Sequence, residues 1–214
     1  FRSPAGREAS RQLSLSRPAD WAFLVLSLTA FFTSAGIVAI AEIGDKTQLL
    51  AVLLAARFCR PLPILAGILV ATIANHALAA WAGGWLASLV DDRLRHWIVG
   101  ACFLGAAIWA LIPDRADDDE KFADAGPFVA TALAFFIAEM GDKTQFATAS
   151  LAARFDSLLS VIAGTTAGMM IADAPAVLLG GEAGRCLNFN YARYVAAAAF
   201  AVMGVLSFLG VGVG

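Results

Sequence analysis

The sequence predicts an all-α membrane protein, with six transmembrane helices arranged as two inverted three-helix repeats. Three observations predict it. The chain is 60% hydrophobic and only 15% charged, against roughly 25% charged residues in a soluble domain. Six apolar stretches approach or exceed the ~20 residues that cross a bilayer. The second half repeats the first at a constant offset of 97 positions.

The elements follow in order. Residues 1–20 carry Arg2, Arg7, Arg11 and Arg17 among Ser, Pro and Gly, the composition of a disordered basic tail. The run Trp21–Thr33 behind those arginines imitates a secretory signal. A cut after Ala35 would fall just ahead of the first charged motif, which argues against that reading. The six spans are expected near 22–56, 62–89, 95–113, 126–153, 158–181 and 191–213. The first is too long for one straight helix. It either starts late, near Thr29, or is interrupted. Polar breaks separate the spans: Arg57–Pro61, Asp91–Arg93, the acidic stretch Asp114–Asp124, Arg154–Asp156 and Gly184-Arg185. The chain thus divides into a tail (1–20), a first three-span repeat (21–113), an acidic connector (114–125) and a second three-span repeat (126–214).

The repeat is read from residues. Leu54-Ala55-Ala56-Arg57-Phe58 falls on Leu151-Ala152-Ala153-Arg154-Phe155. Ala66-Gly67 falls on Ala163-Gly164, Gly83-Gly84 on Gly180-Gly181, and Phe103 on Phe200. A gapless offset of this length marks an internal duplication. Three spans is an odd number, so the second half enters the bilayer from the opposite face. Inverted halves place a transport site near the midplane, where the repeats meet.

Charge concentrates in two octapeptides inside apolar runs. They are Ala41-Glu42-Ile43-Gly44-Asp45-Lys46-Thr47-Gln48 and Ala138-Glu139-Met140-Gly141-Asp142-Lys143-Thr144-Gln145. Ionisable groups inside a membrane are costly, and by default they mark function. On a continuous helix Glu42, Asp45 and Gln48 form one slanted stripe, and Glu42 can pair with Lys46 at i,i+4. Gly44 leaves room beside the carboxylates and lowers helix propensity, so the helix can open there. Glu139, Gly141, Asp142, Lys143 and Gln145 repeat the pattern.

Glu42, Asp45, Gln48, Glu139, Asp142 and Gln145 are the candidate metal ligands. Gly44, Lys46, Thr47, Gly141, Lys143 and Thr144 are the supporting residues. Four carboxylates and two lysines sum to -2. One divalent cation balances that charge, and so do two protons. Uncompensated charge in a low-dielectric site is very expensive, so the site should hold one or the other. That is the logic of a cation/proton exchanger. The oxygen-only donor set suits Mg2+, Ca2+ and Mn2+ over metals that seek nitrogen or sulfur.

His76 and Asp173 coincide under the same offset, in the second span of each half. They are candidates for a proton relay, or for ordinary polar packing residues. The connector, with Asp114, Asp117, Asp118, Asp119, Glu120 and Asp124, reads as a solvated linker, since it lacks the spacing and glycine of a calcium loop. Three scattered cysteines, Cys59, Cys102 and Cys186, argue against a disulfide framework or a zinc site. The five tryptophans suit interfacial anchoring or packing. Nothing in the net charge of -2 points to nucleic acid. Seven basic residues on one side against six on the other leave orientation open under the positive-inside rule.

The duplicated E-x-G-D-K-T, each in the first span of a three-span half with an acidic connector between, resembles the calcium/cation antiporter-2 family. That family includes Golgi and thylakoid manganese/calcium transporters and small bacterial manganese exporters. The resemblance spans residues 30 to 212 or so, and both motifs match without departure. It implies proton-coupled export of Mn2+ or Ca2+ from the cytosol across a bacterial inner membrane. The metal is then cargo rather than a resident cofactor, and its partners are protons and the bilayer. It also implies a cytosolic connector with both termini outside; the tail arginines do not support that orientation. Two other classes compete: a divalent cation channel, and an intramembrane aspartyl protease, whose G-x-G-D signature the motifs approach. In these motifs Glu stands for the first Gly and a lysine follows each Asp, and four carboxylates are present where a protease dyad needs two.

Overall fold

The computed structural model describes residues 18–112, 125–155, 157–179 and 189–210. All of its regular structure there is helical: α1 (Pro18–Glu42), α2 (Lys46–Phe58), α3 (Pro61–Ser88), α4 (Asp92–Ala110), α5 (Gly126–Glu139), α6 (Lys143–Arg154), α7 (Leu158–Leu179) and α8 (Phe189–Phe208). Among the described residues, three segments are long and apolar enough to cross a bilayer by themselves: Leu24–Glu42, Pro61–Ser88 and Leu158–Leu179. The tail, apart from Pro18–Asp20 at the start of α1, and nearly all of the connector lie outside the described residues.

Of the two explanations for the long first stretch, interruption is the one found. α1 ends at Glu42 and α2 begins at Lys46. The stretch 126–153, expected as one span, is broken in the same way between α5 and α6. The cause is local. Gly44 has φ +81° and Gly141 has φ +78°, left-handed values that glycine adopts without steric cost. A Cβ on Gly141 would meet nothing within 4 Å. Backbone conformation, rather than close approach, therefore requires this glycine. No other helix approaches the backbone at Gly141.

Helices of opposite halves interlock. α1 packs on α7, and α5 packs on α3. α2 also meets α7, and α6 meets α3. The two seams are copies of each other. A Cβ on Gly67 would lie 2.8 Å from Phe128 O and from Thr131 Cβ; one on Gly164 would lie 2.4 Å from Phe31 O and 3.0 Å from Ser34 Cβ. Every residue of the first contact lies 97 positions from its counterpart in the second. Small residues serve here because helices in lipid gain stability by close backbone packing rather than by escaping water. α4 and α8 close the third seam, where Phe103 stacks on Phe200 with centroids 6.5 Å apart. These two also coincide under the offset.

Two buried apolar clusters flank the helix breaks. Phe103, Leu151, Val161 and Phe200 belong to one. Ile64, Ile68, Phe135 and Leu54 belong to the other. At each break the carboxylate residues are buried, while Ile43, Met140 and Gly141 stay exposed. Backbone groups freed at membrane depth need partners, and Gly44 N and Gly141 N each donate to a glutamine side chain.

Candidate cation site

Each break brings a helix C-terminus and a helix N-terminus together. Glu42 and Glu139 are the last residues of α1 and α5. Asp45 and Asp142 are the N-cap residues of α2 and α6. The four carboxylates converge: one oxygen from each lies within 4.8 Å of all the others. All four residues are buried, none more than 3% exposed. The positive ends of α2 and α6 open onto this cluster and favour its negative charge.

The supporting residues repeat across the halves. Thr47 Oγ1 donates to Glu42 Oε2 at 2.8 Å. Thr144 Oγ1 donates to Glu139 Oε2 at 2.9 Å. Both hydroxyls orient a glutamate and leave its second oxygen, Oε1, without a hydrogen-bond partner among the described residues. Asp142 Oδ2 is likewise buried without a partner. Buried polar atoms in this condition are rare in native proteins and call for an explanation such as an ion. Oxygen atoms converging at this spacing fit a hard divalent cation.

The lysines correct the expected pairing. Lys46 does not pair with Glu42 at i,i+4. Its Nζ lies 3.3 Å from Asp142 Oδ1, in the other half. Lys143 Nζ reciprocates at 2.5 Å from Asp45 Oδ1. The i,i+4 geometry required a continuous helix, and the glycine break removes it. The slanted stripe fails for the same reason.

Gln48 and Gln145 are turned to the backbone. Gln48 Oε1 accepts from Gly44 N at 3.0 Å, and Gln145 Oε1 accepts from Gly141 N at 2.7 Å. Gln48 Nε2 donates across the halves to Ala172 O at 2.9 Å. Each glutamine therefore fastens its own break. The sequence carried a signal for this: Asp-x-x-Gln is the spacing of a capping box, and it places an N-cap at Asp45 and Asp142. The box is modified. Neither aspartate caps with its side chain, which leaves both carboxylates to the cluster.

His76 and Asp173 are fully buried, on α3 and α7. None of their side-chain nitrogens or oxygens has a hydrogen-bond partner among the described residues. Asp173 lies within electrostatic reach of Glu42 and Glu139. The two equivalent positions carry different chemistry, a carboxyl and an imidazole. Asn75, beside His76, donates to Phe136 O at 3.0 Å and ties α3 to the turn of α5 that leads into the second break.

The chain is similar to known proteins. The family described as "Divalent cation/proton antiporter GDT1" matches residues 30–118 and 127–212, one range in each half. A Vibrio cholerae protein named "Putative manganese exporter" is 49% identical over 167 residues, which cover 78% of this chain and 84% of that protein. "GDT1-like protein 5" of Arabidopsis thaliana is 29% identical over 194 residues, covering 72% of this chain and 84% of that protein. "GDT1-like protein 1, chloroplastic" of Oryza sativa subsp. japonica is 28% identical over 213 residues, covering 80% of this chain and 59% of that protein. No solved structure matches the chain significantly. The duplicated motif, its buried carboxylates and these matches lead to one conclusion: the chain is an integral membrane protein of the GDT1 family of divalent cation/proton antiporters.

Proposed function

We propose that this protein exports Mn2+ in exchange for protons, through one site that the two E-x-G-D-K-T motifs share between inverted three-span repeats. One observation carries the reading: four buried carboxylates, two from each half, lie within 4.8 Å of one another, and each lysine reaches across to the other half's aspartate. The crossed ion pairs balance Asp45 and Asp142. The net -2 then resides on Glu42 and Glu139. These two alternate between holding a divalent cation together and holding one proton each. Thr47 and Thr144 keep their oxygens aimed in both conditions. Asp173 and His76 are assigned to proton passage beside the site.

Oxygen donors admit Mn2+, Ca2+ and Mg2+ alike. Manganese is preferred because the relative at 49% identity carries that metal in its name. Both aspartates are paired to lysine, which leaves no proton-sharing aspartyl dyad and weighs against a protease.

Purified protein in liposomes, with Mn2+ on one side and a pH dye inside, tests the proposal. Proton movement opposite to Mn2+, lost in Asp45→Asn and Glu139→Gln, is the expected result. Metal flux without proton movement would make the protein a channel. Wild-type flux in both variants would remove the site.

A further inference from the structure

A groove of about 350 Å³ opens between α3, α4 and α6, away from the carboxylate cluster. That volume lies in the range of small-molecule pockets, roughly 300–1,000 Å³. Its wall is apolar, with Leu86, Val90, Ile98, Phe146 and Ala149 prominent; Arg95 is its one charged residue.

Depth in the bilayer can be read from the helices. Leu89 and Val90 belong to the turn between α3 and α4, and Arg95 sits in the first turns of α4. Exposed Trp85 and Trp97 stand near this end, the amphipathic residues of a membrane–water interface. The groove runs inward from there. Along α6 its lining extends from Ala153, near the helix end, back to Phe146. The seven steps from Phe146 to Ala153 span about 10 Å at 1.5 Å per residue. One leaflet of the hydrocarbon core is about 15 Å thick. The groove therefore begins at headgroup level and stops within a single leaflet.

Arg95 marks the polar end. Its Nη2 lies 2.9 Å from Asp92 Oδ1, on a carboxylate that is 82% exposed. Its Nε is buried and has no hydrogen-bond partner among the described residues. Asp91 is occupied elsewhere, accepting from Leu94 N at 2.7 Å as the helix cap. A part-exposed guanidinium at headgroup depth suits a phosphate oxygen.

We propose that this groove is a phospholipid site: one acyl chain lies between α3, α4 and α6, and the phosphate docks on Arg95. The site touches transport through α6, which begins with Lys143 and Thr144 at the cluster and lines the groove further on.

Native mass spectrometry of the detergent-purified full chain tests this with dioleoyl phosphatidylglycerol as probe. Dioleoylglycerol, which has the same chains and no phosphate, is the control. The expected result is one retained phosphatidylglycerol per chain and no retained dioleoylglycerol. Arg95→Gln should weaken retention about tenfold or more, with Arg95→Lys intermediate. Ala87→Phe, which fills the groove and keeps the arginine, should abolish it. Equal retention by wild type and Arg95→Gln would overturn the phosphate assignment. Undiminished binding in Ala87→Phe would overturn the groove, as would a disulfide-linked dimer of Ala87→Cys. Size-exclusion profiles matching wild type show that the variants are folded.

Discussion

The Lys143 ammonium of the second motif lies 2.5 Å from the Asp45 carboxylate of the first. A pair this buried is costly to break from one side, about 3–5 kcal/mol, because the remaining charge loses its partner. Lys143→Gln should therefore lower the thermal midpoint in detergent sharply and abolish transport. Adding Asp45→Asn should recover much of the midpoint without restoring transport. The Lys46–Asp142 pair is longer, 3.3 Å, and Lys46 is 23% exposed where Lys143 is 5%. Lys46→Gln should accordingly cost less stability. Equal losses in the two lysine variants would show that the halves are energetically equivalent despite this difference.

Thr47 and Thr144 each hold one oxygen of a glutamate. A hydrogen bond to a charged group contributes about 1.5–3 kcal/mol. Replacing either threonine with valine keeps its shape and removes the donor. Mn2+ affinity should fall about tenfold or more, while serine at the same position should keep most of it. Isothermal titration with Mn2+ distinguishes the two. Unchanged affinity in the valine variants would remove the aiming role.

Gly141 sits at φ +78° with open space around its missing Cβ. Only the backbone angle penalises a side chain there, by roughly 1–2 kcal/mol for an ordinary L-residue. Asparagine visits the left-handed region more readily. Gly141→Asn should thus retain more Mn2+ transport than Gly141→Val. The reverse order would point to crowding in another access state rather than to backbone angle.

Much of this was legible because the duplication carries no gaps. The offset aligned Glu42 with Glu139 and Gly67 with Gly164 before any helix was placed, and the same offset relates the packing seams. The crossed lysines were not legible from helical spacing. Lys46 follows Glu42 by four positions, which predicts a pair on any unbroken helix. Gly44 ends that helix and Asp45 starts another, so the lysine projects from a new N-terminus toward the opposite half. Spacing rules carry contacts within one helix, and this contact exists only between two. Gly44 and the capping-box spacing from Asp45 to Gln48 were the local clues to the break. The groove at Arg95 left no mark in the sequence, since its lining comes from three helices and has ordinary membrane composition.

Asp173 and His76 occupy equivalent, fully buried positions without hydrogen-bond partners among the described residues. Their chemistry differs, so the proton route should be asymmetric. Asp173→Asn should slow proton-coupled exchange by at least tenfold yet leave Mn2+ binding within about threefold of wild type. His76→Gln should have the smaller effect on exchange. Stopped-flow measurement of pH change beside equilibrium Mn2+ titration separates these outcomes. A parallel loss of binding and exchange in Asp173→Asn would make it part of the cation site instead of the proton route.

Charge balance also fixes how the site responds to pH. Two protons and one divalent cation compete for the same -2. Metal binding to groups that must first lose protons weakens as pH falls. Where both glutamates are protonated in the metal-free site, apparent Mn2+ affinity should fall ~100-fold for each pH unit lowered, tenfold for each proton displaced. Glu42→Gln removes one of the two titrating groups. Its affinity at high pH should be lower than wild type, and its slope should drop to about tenfold per unit. Mn2+ titrations across a pH series give both slopes. A wild-type slope of one proton, unchanged in Glu42→Gln, would leave Glu139 alone as the exchanging group and break the equivalence of the two halves.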